Sequence, residues 1–80
     1  MAYSFYKPTK TRIIENANGG ICLLLTGKAY RVTYFENDTL EDLIYSHFIS
    51  NDVIMFVTED NKSRVVYLAD IKHIHSIASI

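Results

Sequence analysis

Two histidines near the end of the chain, His73 and His75, stand two residues apart. On a β-strand this spacing puts both imidazoles on one face, where they could bind the same metal ion. No third ligand follows at a matching interval: Cys22 and His47 are remote in sequence, and no Cys-x-x-Cys or His-Glu-x-x-His motif occurs. We therefore expect no metal and no cofactor, and we interpret the pair as the solvent-facing side of an edge strand.

Groups that could act in catalysis are also sparse. Cys22 lies in the apolar run ICLLL, where a small buried residue is expected rather than a nucleophile. The acidic pairs Glu41-Asp42 and Glu59-Asp60 do not converge, because adjacent residues point apart and the second pair lies in a polar loop. NANGG lacks the glycine spacing and the lysine of a phosphate-binding loop. The sequence predicts that the protein is not an enzyme.

Composition limits the class of protein. A chain of 80 residues is one domain that buries little more than about 60% of its unfolded surface. A hydrophobic fraction of 49%, with six Tyr and four Phe, exceeds what one small core hides, so we expect self-association.

The lone cysteine excludes an internal disulfide. No apolar run approaches the roughly 20 residues of a membrane span, and the start lacks a signal peptide's apolar region. We expect a cytoplasmic protein without membrane association.

Charge is divided unevenly between the two parts of the chain. Residues 1–35 carry five cations and one acid, whereas residues 36–80 carry three cations and eight acids. The formal net charge of −1 argues against nonspecific binding to nucleic acid. The division fits complementary faces for assembly, a local basic patch, or two ordinary solvated surfaces.

The N-terminal half alternates apolar runs with turn signals. Residues 1–10, with the single proline, form an N-terminal arm, and residues 11–80 form one domain. Asn18-Gly19 predicts a turn between strands at 11–15 and 20–25, since both residues tolerate positive φ. In the next strand, at 28–35, Tyr30, Val32 and Tyr34 share one face.

The middle segment changes period. Leu40, Leu43, Ile44 and Phe48 follow helical spacing, and Thr39 is placed to cap a helix. The spacing predicts one short helix over 39–48; the alternative is a strand at 43–49, because Ile, Tyr and Phe also favour sheets.

The C-terminal part again predicts strands, at 53–58, 64–68 and 73–77, with a polar hairpin loop at 59–63 and a tight turn at 69–72. We expect a mostly-β protein: a small, strongly bent barrel of five or six strands with one short helix, since closure limits exposed strand edges.

The C-terminal pattern resembles the Sm-like family, which includes the LSm proteins and bacterial Hfq. Tyr67, Ile71 and Ile74 repeat the intervals of Hfq's Tyr, Ile and Ile, around a one-turn connection between two strands. The run ICLLLTGKAYRVTYFEND is similar to the family's first strand pair, with Gly27 at the turn, and NDVIMFV is similar to its third strand. Leu68-Ala69 stands where Hfq has Lys-His.

The resemblance implies a homo-oligomeric ring of five to seven subunits, in which strand 73–77 pairs with strand 53–58 of the next subunit. The implied interface residues are Val53, Met55, Val57, His73, Ile74 and His75. The resemblance also implies single-stranded RNA as a partner, bound by loops that carry Asn51, Asp70, Lys72 and His73. The competing hypothesis is an SH3-like barrel that oligomerises and binds a protein through its aromatic surface.

Overall fold

The computed structural model describes residues 12–77, so the N-terminal arm predicted at 1–10 lies outside the described residues. Within that range the chain forms seven strands and two single turns of 3-10 helix, at Glu36–Asp38 and Leu68–Asp70. The strands are β1 (Arg12–Glu15), β2 (Ile21–Leu24), β3 (Ala29–Tyr34), β4 (Leu40–Ser50), β5 (Val53–Val57), β6 (Ser63–Tyr67) and β7 (Ile71–Ser76).

The strands form two antiparallel sheets. β1 and β2 make a hairpin, and the other strands make a five-stranded sheet in the order β6-β5-β4-β3-β7. The prediction of a mostly-β protein is confirmed. The closed barrel is wrong for the described residues, because β6 and β7 lie at opposite edges of the sheet and do not pair. β7 returns to β3, and the hairpin lies against the other side of β7.

The short helix predicted at 39–48 is also wrong: this segment is β4, paired with β3 on one side and β5 on the other. Two register shifts explain the misleading spacing, one between Tyr45 and His47 and one between Phe48 and Ser50. A bulge adds one residue, so the core-facing side chains come at Leu43, Tyr45 and Phe48 rather than at strict intervals of two. The helical spacing of Leu40, Leu43, Ile44 and Phe48 combined residues of both faces of this strand, since Leu40 is 58% exposed and Ile44 is half-buried.

Other local predictions are confirmed. Asn18-Gly19 lies in the β1–β2 turn, where Gly19 has a φ of 91° and donates to the Asn16 carbonyl at 2.9 Å. The segment from Ser63 to Ser76 is a strand, one 3-10 turn and a strand. Ile74 is fully buried and His75 is exposed, as the alternation predicts.

The core lies between the inner face of the hairpin and the concave face of the sheet. Tyr30 joins the two, since its hydroxyl donates to the Leu23 carbonyl and accepts from the Leu25 amide, both at 2.8 Å. This satisfies a phenol that is 1% exposed. The buried apolar residues are Ile14, Cys22, Leu24, Tyr30, Val32, Leu43, Tyr45, Ile54, Phe56, Val66, Ile71 and Ile74.

Candidate interaction surface

The outer edge of β7 is covered by the β1–β2 turn. The Asn16 side chain donates to the Ile74 carbonyl at 3.1 Å and accepts from the Ile74 amide at 2.8 Å. The Ala17 amide donates to the Lys72 carbonyl at 3.1 Å. Asn16 is itself buried, so one side chain replaces a neighbouring strand along this part of the edge. The sequence predicted the NANGG turn. It did not predict that Asn16 covers the edge of β7, because no local signal reveals such a long-range contact.

The edge of β6 is open among the described residues. Leu68 donates to the Asp52 carbonyl and Thr58 to the Lys62 carbonyl, both at 2.8 Å, so the even-numbered residues of β6 face β5. The amides and carbonyls of Ser63 and Val65 and the amide of Tyr67 therefore point away from the sheet, whereas the Tyr67 carbonyl begins the 3-10 turn at Leu68–Asp70. The described contact to these groups is a long one, 3.5 Å from Arg64 Nη1 to the Val65 carbonyl.

A groove of about 830 Å³ runs along this edge, and we call it the β6 groove. β6 forms one side, and the connection from β3 to β4 forms the other. Four of its large apolar side chains are well exposed, at 57% for Phe35 and Tyr67, 58% for Leu40 and 41% for Val65. The lining residues are Tyr34, Phe35, Glu36, Thr39, Leu40, Glu41, Arg64, Val65, Val66, Tyr67 and Asp70.

Three side chains form a polar cluster in the groove. Arg64 Nε lies 3.0 and 3.1 Å from the two Glu41 carboxylate oxygens, and the Tyr34 hydroxyl donates to Glu41 at 2.6 Å. Burial alone would raise the pKa of Glu41, but the hydrogen bonds from Arg64 and Tyr34 bring it below the ordinary value. Burial, and then the Glu41 carboxylate, raise the pKa of Tyr34. The cluster fixes β6 to the start of β4.

The groove carries more acid than base. Glu36 and Asp70 line it with exposed carboxylates, and neither forms an ion pair within residues 12–77. Arg64, its one lining cation, is already held by Glu41. The groove therefore has a negative potential as well as an apolar wall.

A second apolar surface lies on the side of the hairpin away from the core, and we call it the hairpin outer face. Ile13, Ile21 and Leu23 are 62%, 71% and 49% exposed. Ile13 and Leu23 are directly opposite in the β1–β2 register, so the three side chains are contiguous. A cluster of exposed aliphatic side chains of this kind is typical of a surface that another surface covers.

The residues predicted to bind RNA lie in the β4–β5 turn, in the second 3-10 helix and at the start of β7. Asn51 is exposed in the turn between β4 and β5, and the Leu68–Asp52 bond brings that turn against the 3-10 helix that contains Asp70. Lys72 instead pairs with Asp38 at 2.6 Å. His73 lies 3.4 Å from the Asn18 side chain.

The residues predicted at a subunit interface fall on two strands. Val53, Met55 and Val57 are half-buried on β5, whose backbone is paired on both sides, with β4 and with β6. His73, Ile74 and His75 belong to β7, whose outer edge the hairpin turn covers. Their part in assembly stays a prediction; the open backbone edge belongs to β6.

Most cations of the described segment already have a carboxylate partner. Besides Arg64 and Lys72, Arg31 pairs with Asp42 at 2.8 Å, and Lys62 lies 3.9 Å from Asp60. The Arg31 guanidinium lowers the pKa of Asp42. The Arg12 guanidinium lies over the Phe48 ring, 4.0 Å from its centroid. Binding phosphates with these groups would break existing ion pairs.

The two histidines lie side by side on β7. The ring centroids of His73 and His75 are 5.7 Å apart, and no group of three His, Cys, Asp or Glu gathers around a common point within residues 12–77. Cys22 is buried, and burial raises the pKa of its thiol. A raised pKa keeps the thiol protonated and so less nucleophilic.

Comparisons with family models, with curated proteins and with solved structures found no match. In the described part of the chain, no helix is long and apolar enough to cross a membrane.

Proposed function

We propose that this protein is a non-enzymatic interaction module of Sm-like or SH3-like type that assembles with copies of itself. The hairpin outer face carries the proposal. Its three aliphatic side chains are exposed although the hairpin is anchored to the sheet by Asn16 and Tyr30, so the surface is both apolar and fixed in place.

The energetics favour covering this surface. Burying a large aliphatic side chain contributes about 1.5–3 kcal/mol, so a contact made by two such faces gains several times that amount before the cost of association. A preorganised hairpin loses little conformational entropy when it binds.

The resemblance adds a ring of five to seven subunits to this proposal. The ring hypothesis is supported by the succession of a strand, a 3-10 turn and a second strand, which carry Tyr67, Ile71 and Ile74. Because Asn16 and Ala17 occupy the edge of β7 at Lys72 and Ile74, a ring of this chain would rely on side-chain contacts rather than on that backbone edge.

The test is the mass of the purified chain, measured by light scattering coupled to gel filtration. We expect an oligomer, and we expect Leu23→Lys to dissociate it because the charge must be buried. Ile49→Lys is the matched control, since Ile49 is 50% exposed and lies on β4 rather than on the hairpin. A monomeric parent, or equal effects of both variants, would contradict the proposal.

Binding of single-stranded RNA is a second candidate function. The observation that favours it is the bond from the Leu68 amide to the Asp52 carbonyl, which brings the turn that carries Asn51 next to the 3-10 helix that ends at Asp70. Fluorescence anisotropy with labelled oligouridylate and oligoadenylate at low and high salt tests it. We expect salt-dependent binding that Asn51→Ala weakens; binding that is absent at both salt concentrations would sink this candidate.

A further inference from the structure

We propose that the β6 groove binds an extended peptide segment with alternating apolar and cationic side chains, which adds to the sheet as a strand beside β6. This inference goes beyond self-assembly, since it concerns the other end of the sheet and a different partner. It is carried by the open backbone edge, the apolar wall and the charge of the groove.

The backbone of β6 supplies the recognition. Ser63 and Val65 each direct one N–H and one C=O outward, and Tyr67 adds its N–H, which is the pattern that an added strand pairs with. The edge of β7 differs from that of β6, because there Asn16 and Ala17 bond to the outward backbone groups. β6 contains neither proline nor lysine, the residues that commonly block an edge.

The apolar side chains that line the groove favour apolar residues at alternate positions of the bound peptide. A peptide residue opposite Val65 shares the sheet face of Val65 and contacts both it and Tyr67. Phe35 and Leu40 form the facing wall, and both are more than half exposed. An extended segment paired with β6 would face these residues, and its apolar side chains would cover surface that now faces water.

The negative charge of the groove favours cationic side chains at the other positions of the bound peptide. The carboxylates of Glu36 and Asp70 form no ion pair within residues 12–77, whereas Arg64 is neutralised by Glu41. Lysine or arginine side chains of a bound segment would meet these carboxylates, and acidic side chains would be repelled.

The same charge disfavours a second copy of the chain as the occupant. Pairing two β6 strands would bring two grooves of negative potential together, with Glu36 and Asp70 on both sides. A cationic segment from a different protein meets no such repulsion.

The probe is a synthetic peptide in which lysine and valine alternate over seven residues, capped at both ends and titrated into the full chain by calorimetry. Two control peptides separate the contribution of backbone hydrogen bonds from that of charge. N-methylation of the valines removes the donors that face the edge but keeps the side chains, and glutamate in place of lysine reverses the charge. We expect binding of the parent peptide alone.

Protein variants test the same site from the other side. Val65→Pro removes an outward N–H that does not bond to β5, so the sheet stays paired while affinity falls at least about tenfold. The double variant Glu36→Gln and Asp70→Asn changes only exposed side chains and should weaken binding about threefold or more, with a flatter salt dependence.

Four outcomes would overturn the inference. Equal binding of the N-methylated peptide would exclude strand addition, and equal binding of the glutamate peptide would exclude selection by charge. No binding of the parent peptide would exclude the site. A lower mass for Val65→Pro in light scattering would assign the edge to a second copy. Peptide binding by a monomeric chain would refute self-assembly and leave this inference standing.

Discussion

At the residue scale, two polar side chains replace backbone pairing that the strands do not provide. Asn16 makes two hydrogen bonds to Ile74 from a buried position, and the Tyr30 hydroxyl makes two to the backbone of Leu23 in β2 and of Leu25 just after it. Buried backbone groups left without partners cost about 1–3 kcal/mol each. These two residues therefore help to hold the hairpin on the sheet.

Asn16→Ala should lower the free energy of unfolding by about 2–4 kcal/mol, because it leaves both the amide and the carbonyl of Ile74 unpaired. Urea denaturation followed by circular dichroism measures the change. Asn18→Ala is the matched control: Asn18 is exposed in the same turn, and its loss should cost under about 1 kcal/mol. Similar losses for both variants would contradict the role assigned to Asn16.

Glu41 should make stability depend on pH. Its pKa is lower in the folded chain than the ordinary value of 4.5, so its contribution is present above that value and is lost as pH falls through the folded pKa. The difference in free energy of unfolding between the parent and Glu41→Gln should be largest near neutral pH and should shrink below about pH 4.5. Denaturant titrations at several pH values measure it; a difference independent of pH would contradict the assignment.

At the element scale, the two edges of the five-stranded sheet differ. β7 is covered by a turn, whereas β6 presents three residues whose backbone groups point outward. β5 lies inside the sheet, so its backbone is committed on both sides. Edge position alone therefore does not decide which backbone amides are protected.

Amide hydrogen exchange followed by NMR should show this difference. The Ile74 amide should exchange slowly although it lies on an edge strand, because it donates to a buried Asn16 oxygen. The Val65 amide should exchange quickly, since it faces away from β5. Asn16→Ala should speed exchange at Ile74 and leave Val65 unchanged. Slow exchange at Val65 in the dilute parent chain would indicate that something already covers β6.

At the scale of the whole molecule, the apolar surface that one copy cannot bury lies mainly on the hairpin outer face and along the β6 groove. The two surfaces belong to different sheets and differ in character. The first is aliphatic, while the second combines aromatic side chains with carboxylates. We assign self-assembly to the first and peptide binding to the second.

If copies associate through the hairpin outer face, the melting temperature should rise with protein concentration, because association stabilises the folded chain by mass action. Leu23→Lys should remove that dependence, and Ile49→Lys should retain it. Calorimetric scans over a hundredfold range of concentration measure the effect. A melting temperature independent of concentration in the parent would argue against assembly.

Local sequence was enough to predict most of the strands and turns, because alternation and the Asn-Gly signal are local properties. It predicted β1, β2, β3, β5, β6 and β7, the Asn18-Gly19 turn and the opposite facing of Ile74 and His75. It favoured a helix over the alternative strand at β4, where two bulges interrupt the period of two and apolar residues lie on both faces.

The tertiary structure alone decided which strand edges are covered. That Asn16 reaches Ile74 across 58 positions, and that Glu36 and Asp70 line one groove with Tyr67, depends on how the sheet folds back on itself. No local pattern encodes such long-range contacts, because they arise from the packing of side chains around one core. The candidate site on β6 follows from that packing: strand pairing occupies one side of β6 and leaves the other facing solvent.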